Sequence, residues 1–226
     1  MKVEKELTRE ERVNVLKKQK VLNGRVFDPE IITKPGMCNL ADSVEVQTWT
    51  HLFVNHIPIL HEDQVSDFYY NVEFIEDGSL NTRVGDKNFH LNEERLGKIL
   101  GVPMEGIRSV AGQYCSKSLF KYVKLMNGVY QLIFEFVNKV ILPRSEKRAI
   151  ASTGDLFFME ALCKFDAINL PAIMLERIHK TVTVKNGKHG MGYSYFLTSV
   201  FSHLEIPLEA GVRGTVKQTF SVNTPC

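Results

Sequence analysis

The chain has 226 residues, 44% hydrophobic and 24% charged, with 28 basic against 26 acidic side chains and a net charge of +2. These are globular averages, so any nucleic-acid binding must rest on local patches rather than on net charge. One domain of this length buries roughly 70% of its unfolded surface and needs no staples to hold a core. The four cysteines, Cys38, Cys115, Cys163 and Cys226, form no C-x-x-C pair. That pattern argues against a zinc knuckle or a disulfide framework and fits a reducing, intracellular compartment, nuclear or cytoplasmic. MKVEKELTREERVNVLKKQK has no apolar h-region, so it is not read as a secretory leader. The longest apolar run, VYQLIFEFVNKVILP, is interrupted by Gln131, Glu135, Asn138 and Lys139 and is too short and polar to span a membrane.

In chain order, residues 4 to 20 alternate acidic and basic side chains around Val13, Val15 and Leu16. The pattern predicts an exposed, weakly anchored helix that frays. Asn23-Gly24, Asp28-Pro29 and Pro35-Gly36 are turn signals and make the next stretch an irregular connector. From Ala41 to Asn55, Val44, Val46, Trp49, Leu52 and Phe53 recur at near-helical spacing, and the lone Trp49 reads as a core anchor. After Pro58, Val65, Phe68, Tyr69 and Val72 mark one face of a helix that begins near Asp63. FIEDGSLNTRVGDKNFHL then places turns at Asp77-Gly78 and Gly85-Asp86, the signature of a small antiparallel hairpin or meander. It is the only convincing β-structure in the pattern.

FHLNEERLGKILGVPMEG reads as a strand end, a capped helix and a stop. Asn92 is the N-cap, Glu93 and Glu94 lie where the helix dipole favours anions, and Leu96, Ile99 and Leu100 form the buried stripe. Gly101 takes the left-handed position, Pro103 prevents the helix from resuming, and with Gly106 they define a structural corner. Further on, Lys117, Lys121 and Lys124 share one helical face, and Val129 to Leu142 is a nearly all-apolar helix expected at the centre of the core. Ser152 and Asp155 approximate a capping box, Asn169 and Pro171 open the next helix, and GYSYFLTSVFSHLEIP supplies a last one ended by Pro207. The expected fold is mainly α, a single helical domain with one small antiparallel β-hairpin or meander. Its expected parts are an exposed N-terminal helix (1–22), a connector (23–39), the domain proper (40–208) and a loosely ordered tail (209–226).

Chemistry is sparse. His51, His56 and His61 recur every five residues, on different helical faces rather than as the i,i+4 pair of a zinc site, so no metal site is expected. Cys163 and His179 would pair as nucleophile and base only through the fold, and Cys163 sits in an apolar helix where a thiol acts as a small hydrophobe. KTVTVKNGKHGMGYSY carries glycines ahead of a helix but neither nucleotide-binding motif. It reads as a basic connector whose anion contacts would be Lys180, Lys185, Lys188 and His189. The Lys117, Lys121 and Lys124 face, and Arg144, Lys147 and Arg148 after Pro143, are the other candidate nucleic-acid or anion contacts, and they matter only if they converge in space. No catalytic set and no cofactor are expected.

One resemblance runs through these elements. Phe68-Tyr69, Asp77-Gly78-Ser79-Leu80, Leu96 through Gly101-Val102-Pro103-Met104-Glu105-Gly106, and Asn138 through Leu142-Pro143 resemble, in order, the pattern of the plant transposon protein domain. Asp155-Leu156-Phe157, Ile168-Asn169-Leu170-Pro171, and Gly192-Tyr193 through Leu197-Thr198 continue it, with Met191-Gly192 where the family usually has Tyr-Gly. The match spans residues 40 to 208, and the LGVPMEG corner is also similar to that of the plant mobile domain. The resemblance implies an accessory or structural protein of a plant transposable element. On that basis the expected function is a non-enzymatic interaction module binding a protein partner or nucleic acid inside the cell, or associating with itself. The enzymatic alternative, a metal-dependent nuclease or transposition activity, requires carboxylates converging in one cleft. A shallow groove beside Met104, Glu105 and Gly106 is a candidate partner site.

Overall fold

The computed structural model describes residues 7–27, 38–53, 59–112, 126, 128–145, 149–183, 190–208, 211–213 and 219–220. Helices dominate, beside a small antiparallel sheet, as the patterning predicts. Helix α1 (Arg9–Leu16) opens with a capping box in which the Thr8 hydroxyl accepts the Glu11 amide and the Glu11 carboxylate accepts the Thr8 amide. It is better anchored than its charge pattern suggests. Leu16 is 2% exposed, Arg9 donates to Asn71, and the chain after the helix bonds to Met191 through the Lys20 carbonyl and the Leu22 amide. Strand β1 (Val26–Phe27) follows.

The single helix expected from Ala41 to Asn55 is two, α2 (Cys38–Val46) and α3 (Thr50–Phe53). Thr48 breaks them at φ 57°, and the Gln47 side chain is drawn away to the Asp166 carbonyl and the Ile168 amide, at 2.7 and 2.9 Å. Those partners are over a hundred residues distant, so no local pattern marks the break. Trp49 is 0% exposed, the core anchor its type predicts.

After β2 (Ile59–Leu60), α4 (Glu62–Tyr70) buries Val65, Phe68 and Tyr69 on one face. The meander is β3 (Glu73–Phe74), β4 (Leu80–Val84) and β5 (Lys87–Leu91), paired antiparallel with Leu80 opposite Leu91 and Thr82 opposite Phe89. Leu80, Thr82 and Val84 point inward, and buried Thr82 meets its hydrogen-bonding need at the Phe68 carbonyl. Helix α5 (Glu93–Leu100) then packs against α8 (Leu170–Thr183) and α9 (Ser194–His203).

In sequence between α5 and α8 come α6 (Gly128–Phe136), which continues into a π-helical turn at 137–141, and α7 (Thr153–Lys164). Phe136, Val137, Ile141 and Leu142 are fully buried, which makes this segment the expected centre of a cluster reaching from Leu16 to Ile206. Two short ladders were not legible in the pattern. Strand β6 (Val212–Arg213) pairs antiparallel with β2, and β7 (Thr219–Phe220) pairs parallel with β1. No described helix is long and apolar enough to cross a membrane.

Tyrosines line the core near Gly192. The Tyr69 hydroxyl donates to the Gly192 carbonyl at 3.2 Å and the Tyr193 hydroxyl to the Ile141 carbonyl at 2.7 Å. Burial pushes both phenols well above their ordinary value of 10.0, and burial pushes Tyr195 up to about 12. A raised folded pKa means the folded state holds its proton more tightly, so this stabilisation is complete below about pH 10 and disappears as pH rises through the folded values. In an ultraviolet titration, these three of the seven tyrosines are expected to ionise only as the protein unfolds. Ionisation of all seven together near pH 10, ahead of unfolding, would contradict this assignment.

Candidate functional site

Both ends of α5 are fixed by the residues expected to fix them. Asn92 accepts the Arg95 amide at 2.8 Å, and Gly101 adopts φ 64° so that the Val102 amide returns to the Gly97 carbonyl. His51 adds its Nε2, 2.7 Å from the Leu100 carbonyl. Past Pro103 the chain turns at Gly106, φ 91°, and forms a parallel bridge with the stretch before α8. There the Ile107 amide donates to Ala167 and the Asn169 amide to Ile107, both at 2.9 Å.

Asn169 ties this corner to its neighbours. Fully buried, it donates to Glu93 at 2.8 Å and to the Met104 carbonyl, and its side-chain oxygen accepts the Ala172 amide at 3.0 Å. One asparagine thus caps α8 and clamps the start of α5 and the corner beside it.

These ties set the β3–β4 turn, the first turn of α5, the corner and one face of α8 around an open groove of about 970 Å³. Its apolar lining is Phe74, Ile75, Met104, Ala172 and Leu175. The Met104 side chain lies across Gly97, where a Cβ would stand 2.8 Å from the Met104 Cγ. Ile75 and Met104 are 42% and 36% exposed, two of six large apolar side chains left open among the described residues, and both face this groove. Such clustering marks contact surfaces more often than scattered exposure does. The His179 ring stands edge-on to Phe74 in the wall, with ring centres 4.6 Å apart.

The rim is acidic. Glu76, Asp77, Glu93, Glu94 and Glu176 line the groove, with Arg108 the one lysine or arginine among its described lining residues. Arg108 grips Glu93, Lys98 pairs with Glu94 at 2.6 Å, and Lys180 pairs with Glu176. Burial opposes charge on Glu176, but hydrogen bonds from Lys180 and the Val110 amide outweigh it and hold the carboxyl below its ordinary range. The Lys98 ammonium does the same for Glu94, and the Ser79 hydroxyl and amide do so for Asp77. Glu76 and Asp77 have no ion pair among the described residues. Among the described lining residues, the carboxylates without an ion pair therefore sit at the β3–β4 turn.

Ser79 and His90 were not singled out by the sequence pattern. Ser79 Oγ lies 2.5 Å from Asp77 Oδ1 and 2.9 Å from His90 Nε2. The residue types are those of a hydrolase, but the order is not: the hydroxyl donates to the carboxylate, so the imidazole donates to the hydroxyl instead of taking its proton. With Ser79 2% exposed, the cluster fixes the turn. Cys163 is exposed rather than sheltered in the core, because it falls on the outer side of α7. Among the described residues no three His, Cys, Asp or Glu groups are placed to share a metal ion.

Of the basic candidates, Arg144 is 9% exposed and donates from Nη1 to Asp155 Oδ2 at 2.8 Å, a buried strut at the start of α7 rather than a surface contact for phosphate. Lys180 is held by Glu176 one turn before it. Lys117, Lys121, Lys124, Lys147, Arg148, Lys185, Lys188 and His189 lie outside the described residues. Comparison with protein-family models, curated proteins and solved structures finds no match.

Proposed function

We propose that the chain is a non-enzymatic interaction module derived from a plant transposable element, as its sequence resemblance implies, and that it docks a protein partner inside the cell. The observation that carries this reading is the acid-rimmed groove with Ile75 and Met104 open on its floor. Carboxylates repel a phosphate backbone, whose binding rests on lysine and arginine, so a protein segment fits this surface better than a nucleic acid does. The Ser79 cluster, turned away from nucleophilic chemistry, supports binding over catalysis.

The test is a salt series with DNA and RNA, with and without magnesium, using the chain and its Glu76→Lys variant. No magnesium-dependent cleavage is expected. Reversing one groove charge should strengthen nucleic-acid retention at low salt, a gain that added salt erases. Cleavage would restore the enzymatic alternative, and firm, salt-sensitive retention of nucleic acid by the unaltered chain would favour nucleic acid over a protein partner.

A further inference from the structure

On the docking reading above, we infer that the groove takes a short basic segment of a protein partner, with one bulky apolar side chain seated between Ile75 and Met104 and a lysine or arginine against Glu76 and Asp77. The charges set this order. Glu93, Glu94 and Glu176 already have Arg108, Lys98 and Lys180 against them, whereas Glu76 and Asp77 have no ion pair among the described residues. A cation on the incoming segment gains most at the turn end, where it neutralises charge without displacing an existing partner.

The apolar anchor follows from the floor. Ile75 and Met104 remain 42% and 36% exposed while Ala172 and Leu175 continue the apolar surface beneath the rim, so a single large side chain completes the patch. Methionine adapts its shape to the guest, which makes the seat tolerant of Leu, Ile, Met or Phe. The dimensions favour a segment over a globular face. A stable interface between folded surfaces buries about 1,600 Å², whereas this groove of about 970 Å³ has room for a handful of side chains.

The experiment uses the full chain and short peptides of Lys, Arg, Gly and Ser in which one Leu, Ile, Met or Phe is moved through every position, read by fluorescence anisotropy. The variants are Glu76→Lys and Met104→Ser, both at exposed sites, with folding checked by circular dichroism. Binding is expected to depend on the position of the apolar residue and to fall about tenfold or more with either variant or when Glu replaces the basic residues. Binding indifferent to the apolar residue and to Met104→Ser would reduce the groove to a diffuse charge effect and overturn the assignment. Binding of acidic or neutral apolar peptides instead would leave docking standing and refute this partner class. If no peptide binds and the variants alter only the concentration-dependent mass of the chain, the occupant is a second copy. If nothing binds and the mass is unchanged, the docking reading falls as well.

Discussion

Asp155→Ala is expected to lower the unfolding free energy by about 3–5 kcal/mol, because it strands a charge inside the fold. Asp155 is 0% exposed and its Oδ2 receives Arg144 Nη1 at 2.8 Å, the Ser152 amide at 2.7 Å and the Ser152 hydroxyl at 2.7 Å. Removing it leaves the Arg144 guanidinium, itself nearly buried, with its cost of desolvation and no anion to offset it. The reciprocal capping box at the start of α7 goes with it, a further contribution of about 1 kcal/mol. For a chain of this size the melting temperature should fall on the order of 10 °C. The double variant Arg144→Met with Asp155→Leu removes the charge together with its partner and should recover most of the loss. Chemical denaturation of the three proteins checks this. Equal losses in the single and double variants would show that capping and packing, not the buried charge, dominate the site.

Gly106→Ala should be nearly as damaging, at about 4 kcal/mol, beyond the usual range for a point substitution. Gly106 holds φ 91°, and a Cβ built there would overlap the Ala167 carbonyl and stand 2.7 Å from the Ala167 Cβ. The obstacle is backbone, so it cannot rotate away. The corner must move off the chain before α8, breaking the Ile107 to Ala167 bond and the return bond from Asn169 to Ile107. Gly78→Ala supplies the comparison. Its φ of 83° imposes a similar conformational penalty, but nothing lies within 4 Å of the added carbon, so a loss of only about 1–2 kcal/mol is expected. Similar losses in both would mean that backbone strain alone accounts for the effect. Because Met104 shares this corner, any folded Gly106→Ala protein should also lose peptide binding in the groove.

The sequence carried the parts whose causes lie within a few residues of each other. A cap needs a side chain three positions from an amide, as Asn92 is from Arg95, and a left-handed stop needs a residue without Cβ, as at Gly101. The meander, both ends of α5, the capping box at Ser152 and the buried helical stripes were legible on that ground. Other features follow from residues far apart in the chain. Gln47 ends α2 by reaching Asp166 and Ile168, and α1 is held through Lys20 and Leu22 by Met191.

The groove divides the same way. Its edge at Met104 lies in the locally coded corner, whereas Glu105 and Gly106, named with it in the sequence, are not among its lining residues. Its acidic rim was not legible, since Glu76 and Glu176 come from opposite halves of the chain and meet only through the Asn169 clamp and the packing of α5 on α8. Arg144 shows why a list of basic residues cannot stand for a surface: next to Lys147 and Arg148 in sequence, it is buried against Asp155. Local propensity and backbone sterics determined the elements, while burial, which requires the whole packed chain, decided which charges face solvent and which are enclosed.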